Sequence, residues 1–176
     1  MFGQGVVMRP VTEADLSACV RWLNDPEVTE FMQIESGGHT LETARAWLKQ
    51  FSDPDSASRA WAIEVDGRHI GTCNLTSQGP GQSAHFGIMI GDKAAWGKGY
   101  GTAATRKALH IGFTEMGLHR IHLDTDARNA RAIRCYEKCG FRHEGVLRKA
   151  RLKRGTWADT VLMAVLREEW CEGQGS

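Results

Sequence analysis

The stretch Phe86-Gly87-Ile88-Met89-Ile90-Gly91-Asp92-Lys93-Ala94-Ala95-Trp96-Gly97-Lys98-Gly99-Tyr100-Gly101-Thr102-Ala103 decides the fold. An apolar run enters a glycine-dense turn, and the turn opens onto residues of helical period. Gly97, Gly99 and Gly101 alternate with Lys98 and Tyr100, so the backbone can turn its N–H groups inward without side-chain obstruction. The helix after the turn adds unpaired N–H groups and the positive end of its dipole, a combination suited to a pyrophosphate. A tight glycine turn packed on a sheet has the same pattern, so this stretch alone leaves a ligand open. Two phosphate loops are excluded by spacing. A Walker A loop needs Gly-Lys followed by Ser or Thr, whereas Gly99 comes after Lys98, and the gap from Gly91 to Gly97 is one residue too long. The Gly-x-Gly-x-x-Gly dinucleotide fingerprint fails against Gly-x-Gly-x-Gly.

Upstream, Ala60–Val65 and His69–Leu75 alternate around Asp66-Gly67, a two-residue hairpin signal. Ala84–Ile90 continues the meander after the turn Gln78-Gly79-Pro80-Gly81. Val6–Pro10 reads as an edge strand. Thr12, with Asp15 three residues on, reads as a capped helix start for Leu16, Cys19, Val20 and Leu23, ended by Asn24-Asp25-Pro26. A second short helix is predicted over Pro26–Met32, then a loop at Ser36–His39. Thr40 opens a helix with Leu41, Ala44, Trp47, Leu48 and Phe51 on one face. Downstream, Thr102–Met116 predicts a long helix closed by Gly117, and His119–Thr125 a strand. Asn129 is the N-cap of a helix Ala130–Cys139 that Gly140 ends. Phe141–Arg151 and Thr156–Leu166 are strand-like around Lys153-Arg154-Gly155, and the polar tail after Trp170 is expected to fray. The order β-α-α-β-β-β-α-β-α-β-β makes one mixed α/β layer, helices on a central sheet, without linker or repeat.

A chain of 176 residues fits one domain, residues 1–176 with a core over about 6–170, and needs no metal or disulfide staple. The 22 basic and 21 acidic residues leave no basic footprint for nucleic acid and no polybasic membrane patch. Cys19, Cys73, Cys135, Cys139 and Cys171 are an odd, scattered set and read as free thiols in a reducing compartment. Met1–Met8 lacks the pattern of a signal peptide, and no apolar run approaches the ~20 residues of a membrane span, so a cytoplasmic location is expected. His122, Asp124 and Asp126 share a strand face, but one imidazole and two carboxylates beside Arg120 and Arg128 are no diagnostic metal set, and no metal is assigned.

The second chemical signal is Asn129-Ala130-Arg131-Ala132-Ile133-Arg134-Cys135-Tyr136-Glu137-Lys138-Cys139-Gly140-Phe141. It is a capped helix that brings Ala132, Ile133 and Tyr136 near one another. Tyr136 supplies a weak acid with an ordinary pKa near ~10, and an amphipathic helix with a half-buried tyrosine reads the same. Taken in order, the glycine turn and Asn-x-x-Ala-x-x-x-Tyr-x-Lys-x-Gly-Phe resemble the GNAT superfamily of acetyltransferases. Trp96 to Thr102, the run Gly117-Leu118-His119-Arg120, and Trp157 with Asp159 are most similar to its RimJ/RimL-like branch.

The resemblance covers about Val7 to Trp170. It implies an α/β, GNAT-type fold with a mixed, mostly antiparallel central sheet and helices on both faces. It further implies acetyl-CoA as co-substrate and direct acetyl transfer, in a ternary complex, to an amine of a protein N-terminus or a small molecule. A non-catalytic acyl-CoA-binding or sensor module on the same fold is the alternative. By the same resemblance, the backbone of Ile88, Met89 and Ile90 pairs with the pantetheine arm, and one of its N–H groups holds the tetrahedral oxyanion. The pyrophosphate falls on Gly97, Lys98, Gly99, Tyr100, Gly101 and Thr102 beside Trp96, with Lys98 either adding a charge or standing in solvent. Asn129 binds pantetheine while capping its helix, with Ala132 on the same cofactor surface, and Tyr136 protonates the departing thiolate.

A primary amine titrating near ~10.4 is mostly protonated at neutral pH, so a proton acceptor is needed. The positions two and four residues before Ile88 are Phe86 and Ala84, neither a base, and alternation points His85 to the opposite face. Glu35, His39 and a water chain are the remaining candidates. Glu27, Glu30, Glu35 and Glu42 fit either a polyamine site or a solvated acidic surface. A monomer and a homodimer both fit the exposed strand edges expected near the C-terminus.

Overall fold

The computed structural model describes residues 5–52, 56–79 and 82–173, with side chains to residue 170. Pro80 and Gly81 of the predicted turn, Cys171 as a side chain, and residues 174–176 of the tail lie outside that description. The alternating segments form β1 (Val6–Pro10), β2 (Arg59–Val65), β3 (Arg68–Ser77), β4 (Ser83–Ile90), β5 (Arg120–Asp126), β6 (Arg142–Lys153) and β7 (Thr156–Leu166). They make one sheet in the order β1-β2-β3-β4-β5-β7-β6. The β4–β5 pair is parallel and the others are antiparallel. At the β2–β3 hairpin Asp66 and Gly67 both take positive φ, 51° and 73°, the twist that a two-residue turn between right-twisted strands demands.

Helices α1 (Leu16–Leu23) and α2 (Leu41–Lys49) cover one face of the sheet, where Leu16 and Ala44 pack with Ala60 and Ala62, and Trp22 with Met89. Helices α3 (Tyr100–His110) and α4 (Ala130–Lys138) cover the other, over Trp61, Ile63 and Phe86. Phe113, Leu75, Leu109, Leu118, Ile121 and Met163 are fully buried on this side. The period-two alternation of β2 and β4 divides their side chains between the two cores.

The parallel pairing is short. Ser83, Ala84 and His85 stand opposite Arg120, Ile121 and His122, and beyond them the two strands part. The rest of β4 stays bonded to β3 as far as Ile90, and the rest of β5 stays bonded to β7. A gap therefore opens in the middle of the sheet from Phe86 onward.

Three predicted elements change. Pro26–Met32 is a run of turns rather than a helix: Thr29 N–H reaches Asp25 O, and Met32 N–H reaches Thr29 O, each at 3.1 Å. Its carbonyls are drawn away from any helix axis by the buried Lys153 ammonium, which donates to Thr29 O, to Met32 O at 2.6 Å and to Ile34 O at 2.9 Å. The long helix begins two residues early at Tyr100 and ends at His110, then widens into a π-type turn over Ile111–Glu115. Gly112 allows this close approach, since a Cβ there would lie 2.6 Å from Ile121 Cδ1. Gly117 closes the segment at φ 67° as predicted. After β7 the chain forms α5 (Arg167–Gly173), a helix that the polar tail concealed.

Asp15 ties β1 to α1. Its carboxylate accepts from Thr12 N–H at 2.8 Å and from both terminal nitrogens of Arg9 at 2.8 and 2.7 Å. The Arg9 guanidinium holds this buried carboxyl well below the usual carboxylate range, against the opposing effect of burial. A depressed folded-state pKa stabilises the protein above the unfolded value, near ~3.9, and that contribution is lost as pH falls through the folded value. Asp15→Asn is expected to cost about 3 kcal/mol at neutral pH. Urea unfolding should show its deficit against the parent chain shrinking below about pH 4.

Candidate active site

The turn after β4 completes the gap. Asp92 accepts from Ala94 N–H at 2.9 Å, turning the chain so that the Trp96 indole N–H donates to Ile90 O at 2.7 Å. Backbone polar groups alternate in direction along a strand. Ile90 O faces Trp96, and Met89 O faces β3, 2.2 Å from where a Cβ on Gly71 would stand. The N–H groups of Ile88 and Ile90 therefore face the gap, while Met89 directs its N–H to Thr72 of β3.

Gly97 and Gly99 take φ of 75° and 81°, the left-handed region that the turn requires, and a Cβ on Gly97 would meet nothing within 4 Å. Gly101 differs: it lies inside α3, with no positive φ. Its missing side chain bares the first helical turn. On the other side of the gap Asn129 Oδ1 accepts from Ala132 N–H at 3.1 Å, the predicted cap of α4.

These elements enclose a cleft of about 640 Å³. Ile88, Met89 and Ile90 form its strand wall; Trp96, Gly97, Gly99, Tyr100, Gly101 and Thr102 its turn; Asn129, Ala132 and Tyr136 its helical wall. Lys98 is exposed and stands off this wall, because the left-handed residues on either side turn its side chain outward.

The cations that do face the cleft come from α4 and its approach. The Arg131 guanidinium lies 4.4 Å from the centre of the Trp96 ring, a cation–π contact that holds a permanent charge beside the glycine turn. Arg134 and Lys138 line the same wall, and Arg128 is engaged by Asp126 at 2.6 Å. Arg128, Arg131 and Arg134 recur every three residues across the N-cap, a periodicity in the sequence that could have marked this wall. Glu27 and Glu30 border the cleft from the Lys153-anchored loop.

Tyr136 is buried, edge-on to Phe86 at 6.4 Å and to Phe141 at 5.8 Å. Burial above all, with the Asp124 carboxylate adding to it, pushes its phenol pKa upward, so it stays protonated and able to donate. Cys135 and Cys139 join α4 to α3 through Thr102, whose hydroxyl lies 3.2 Å from Cys135 Sγ and whose carbonyl accepts from Cys139 Sγ at 3.6 Å.

His85 does point to the opposite face, as alternation requires, but it is no ordinary surface histidine: its Nε2 lies 2.7 Å from Asp124 Oδ1. The neighbouring Asp124 and Asp126 are engaged by Arg151 and Arg128. Among the described residues no group of three His, Cys, Asp or Glu is arranged to hold a metal ion. Glu35 and His39 stand on neither cleft wall; the His39 ring bonds Glu35 O at 2.9 Å and the His39 backbone N–H donates to Asn24 Oδ1 at 3.1 Å, which braces the loop. Glu42 sits in the first turn of α2, also away from the cleft.

The acetyltransferase (GNAT) domain model matches residues 6–142, and the chain belongs to the GNAT acetyltransferase family. It is 27% identical over 166 residues to the spermidine N(1)-acetyltransferase of Escherichia coli K12, covering 94% of this chain and 88% of that one. It is 28% identical over 154 residues to an aminoglycoside N(6')-acetyltransferase type 1 of Klebsiella pneumoniae, covering 81% and 76%. The crystal structure of spermidine N-acetyltransferase from Vibrio cholerae in complex with CoA and spermine has the same fold, with a TM-score of 0.87, 24% identity, and coverage of 96% and 99%. The seven-stranded, mostly antiparallel sheet with helices on both faces is the GNAT fold. No helix among the described residues is long and apolar enough to cross a membrane.

Removing the stacked cation should weaken CoA binding. Arg131→Ala is expected to raise the Kd for CoA about tenfold with little change in thermal stability, whereas Lys98→Ala leaves it within about twofold. Isothermal titration calorimetry of both variants checks the contrast.

Proposed function

We propose that this chain transfers the acetyl group of acetyl-CoA directly to the amine of a small polycation, in a ternary complex without an acyl-enzyme. The observation that carries the reading is the convergence of three things on one cleft: unpaired backbone N–H groups of β4, a glycine turn opening α3, and a buried tyrosine kept protonated. The diphosphate would lie on the backbone of Gly97–Thr102 near Arg131, and the pantetheine arm would run along Ile88 and Ile90 as an added strand. An N–H of Ile88 or Ile90 would meet the oxyanion, and Tyr136 would give its proton to the leaving sulfur.

Two observations favour a small cationic acceptor over a protein N-terminus. Glu27, paired with Lys93 at 2.8 Å, and Glu30 both border the cleft, and Glu30 offers a carboxylate there. The relatives named above carry spermidine or an aminoglycoside in their names, and both compounds are small polyamines. Placement in the RimJ/RimL-like branch rests on the resemblance of Trp96–Thr102, of the run Gly117–Arg120 and of Trp157 with Asp159. A cytoplasmic location is supported by Cys19, Cys73, Cys135 and Cys139, all free thiols.

Acetyl-CoA incubated with spermidine, an aminoglycoside, amino sugars and peptides should yield, by mass spectrometry, acetylated product from the polyamines first. Tyr136→Phe is expected to lower kcat about 100-fold while leaving the Kd for CoA unchanged; unaltered turnover would remove Tyr136 from the acid role. Lys153→Met releases three carbonyls of the loop bordering the cleft. Hydrogen exchange there should quicken at Thr29–Ile34, and the KM for the amine should rise more than kcat falls.

A further inference from the structure

Two thiols that acetyl transfer does not use stand beside the glycine turn. Cys135 is half-buried and lines the cleft, whereas Cys139, one helical turn on, is buried behind it. We infer that this pair is a redox modification site: a hydroperoxide entering the cleft oxidises Cys135, Cys139 closes the product to a disulfide, and the cleft stays shut to the cofactor until a thiol reduces it. The effect on the cofactor rests on the reading of this cleft as the seat of acetyl-CoA; the thiol chemistry does not.

Both sulfurs meet one residue of α3. Cys135 Sγ lies 3.2 Å from the Thr102 hydroxyl, and Cys139 Sγ lies 3.6 Å from the Thr102 carbonyl. Thr102 is the third residue of α3, so the Cys135 sulfur stands where unpaired N–H groups and the positive end of the helix dipole favour a thiolate. The Cys139 S–H can turn from Thr102 O to that thiolate. This hydrogen bond first, then the Thr102 hydroxyl and the Lys138 charge, hold the Cys135 thiol below the usual thiol range against the opposing effect of burial. The same hydrogen bond, with burial, pushes Cys139 upward, so it keeps its proton. One sulfur is thus open and nucleophilic, and the other is screened and in reserve. Cys19 and Cys73 have neither feature: they are buried away from the cleft, and burial pushes both thiols upward.

Closing the pair would pull on the site itself. Side chains four apart on a helix have Cβ atoms about 5–6 Å apart and a disulfide holds them at about 3.5–4.5 Å, so Cys139 must move in by about 1–2 Å. Its place permits this, because it is the C-cap of α4 and Gly140 follows it at φ 94°. The turn that would tighten contains Tyr136. The Tyr136 carbonyl accepts from Cys139 N–H at 2.9 Å and from Phe141 N–H at 3.1 Å, and the Phe141 ring packs on the phenol. Oxidation therefore displaces the backbone that places Tyr136 and, through Thr102, the first turn of α3.

Atoms and electrons balance in both steps. The Cys135 thiolate attacks the terminal oxygen of the hydroperoxide, the O–O bond breaks, and the departing alkoxide takes a proton from solvent. Sulfur, oxidised by two electrons, is left as a sulfenic acid. Cys139 sulfur then bonds to Cys135 sulfur, the S–O bond breaks, and hydroxide leaves with the Cys139 proton as water. Two external thiols reverse the change and become a disulfide themselves.

The test treats the full chain with hydrogen peroxide, maps every cysteine by peptide mass spectrometry, and measures the Kd for acetyl-CoA, which carries no free thiol, by calorimetry. The parent is expected to form a Cys135–Cys139 disulfide before any other cysteine changes, with a Kd raised at least about tenfold and restored by dithiothreitol. Cys139→Ser should stop at a sulfenic acid on Cys135 that dimedone captures. Cys135→Ser, compared with its own untreated form, should keep its affinity through the same treatment. Saturating acetyl-CoA should slow oxidation of the parent about tenfold or more. The assignment is overturned if Cys135 and Cys139 stay reduced while other cysteines oxidise, if their disulfide leaves the Kd unchanged, if Cys135→Ser loses affinity as the parent does, or if acetyl-CoA gives no protection. Should the untreated parent bind no acetyl-CoA, the cofactor reading fails on its own account, and the disulfide and dimedone readouts still decide the thiol pair.

Discussion

Everything at the centre of this molecule depends on a parallel strand pair that is allowed only three rungs. A fully paired seven-stranded sheet would have no opening and no unsatisfied backbone away from its edges. Here β4 keeps its bonds to β3 and β5 keeps its bonds to β7, so the strands part after His85 and His122 without either losing its own anchorage. The cost is a short edge of backbone inside the fold, and each buried polar group left without a partner would cost about 1–3 kcal/mol. The Trp96 indole answers for one of them, Ile90 O. The N–H groups of Ile88 and Ile90 remain directed at the cleft, where a ligand can meet them. The part of the sheet least satisfied by the protein is the part best prepared for a partner.

Charge is sorted around that gap in the same spirit. Cations gather on the α4 side, where Trp96 fixes Arg131 by its ring face and Asp126 pairs with Arg128. Acids and imidazoles gather at the loop and on the far face, where Asp124 joins β5 to β4 and β6 through His85 and Arg151. The loop itself is positioned by an unusual device, a buried ammonium distributed over three carbonyls. Lys153 reaches it from the end of β6, more than a hundred residues downstream, so the border of the cleft is set by the far edge of the sheet.

Much of the cleft wall is legible in the sequence because its signals are local. The positive-φ glycines at Gly97 and Gly99, the Asn129 cap and the i, i+3, i+4 spacing of α4 act over a few residues, and a sequence displays such spans directly. The elements that depart from expectation share the opposite character. Pro26–Met32 has an acceptable helical pattern, but its carbonyls answer to Lys153. The helix predicted to Met116 changes pitch at Ile111 because Ile121 of β5 crowds Gly112. Lys98, placed among the glycines, is turned outward by those same glycines. The three-residue spacing of Arg128, Arg131 and Arg134 marks a cationic face locally, but the contact that holds Arg131 lies in a tryptophan thirty-five positions away.

By itself the sequence determined the succession of strands and helices, the glycine turn, the capped helix carrying Tyr136 and, through their resemblance, the family. These are consequences of backbone preference and of short-range hydrogen bonding, which residue order carries directly. Tertiary structure alone decided where β4 and β5 separate, which cations face the cleft, and which histidine meets a carboxylate. Alternation placed His85 on the face away from Tyr136 correctly, but only the sheet order, with β5 beside β4, brought Asp124 within 2.7 Å of it. Side-chain direction is a property of one strand; side-chain partnership is a property of two, and strand pairing is settled by the burial of the whole sheet.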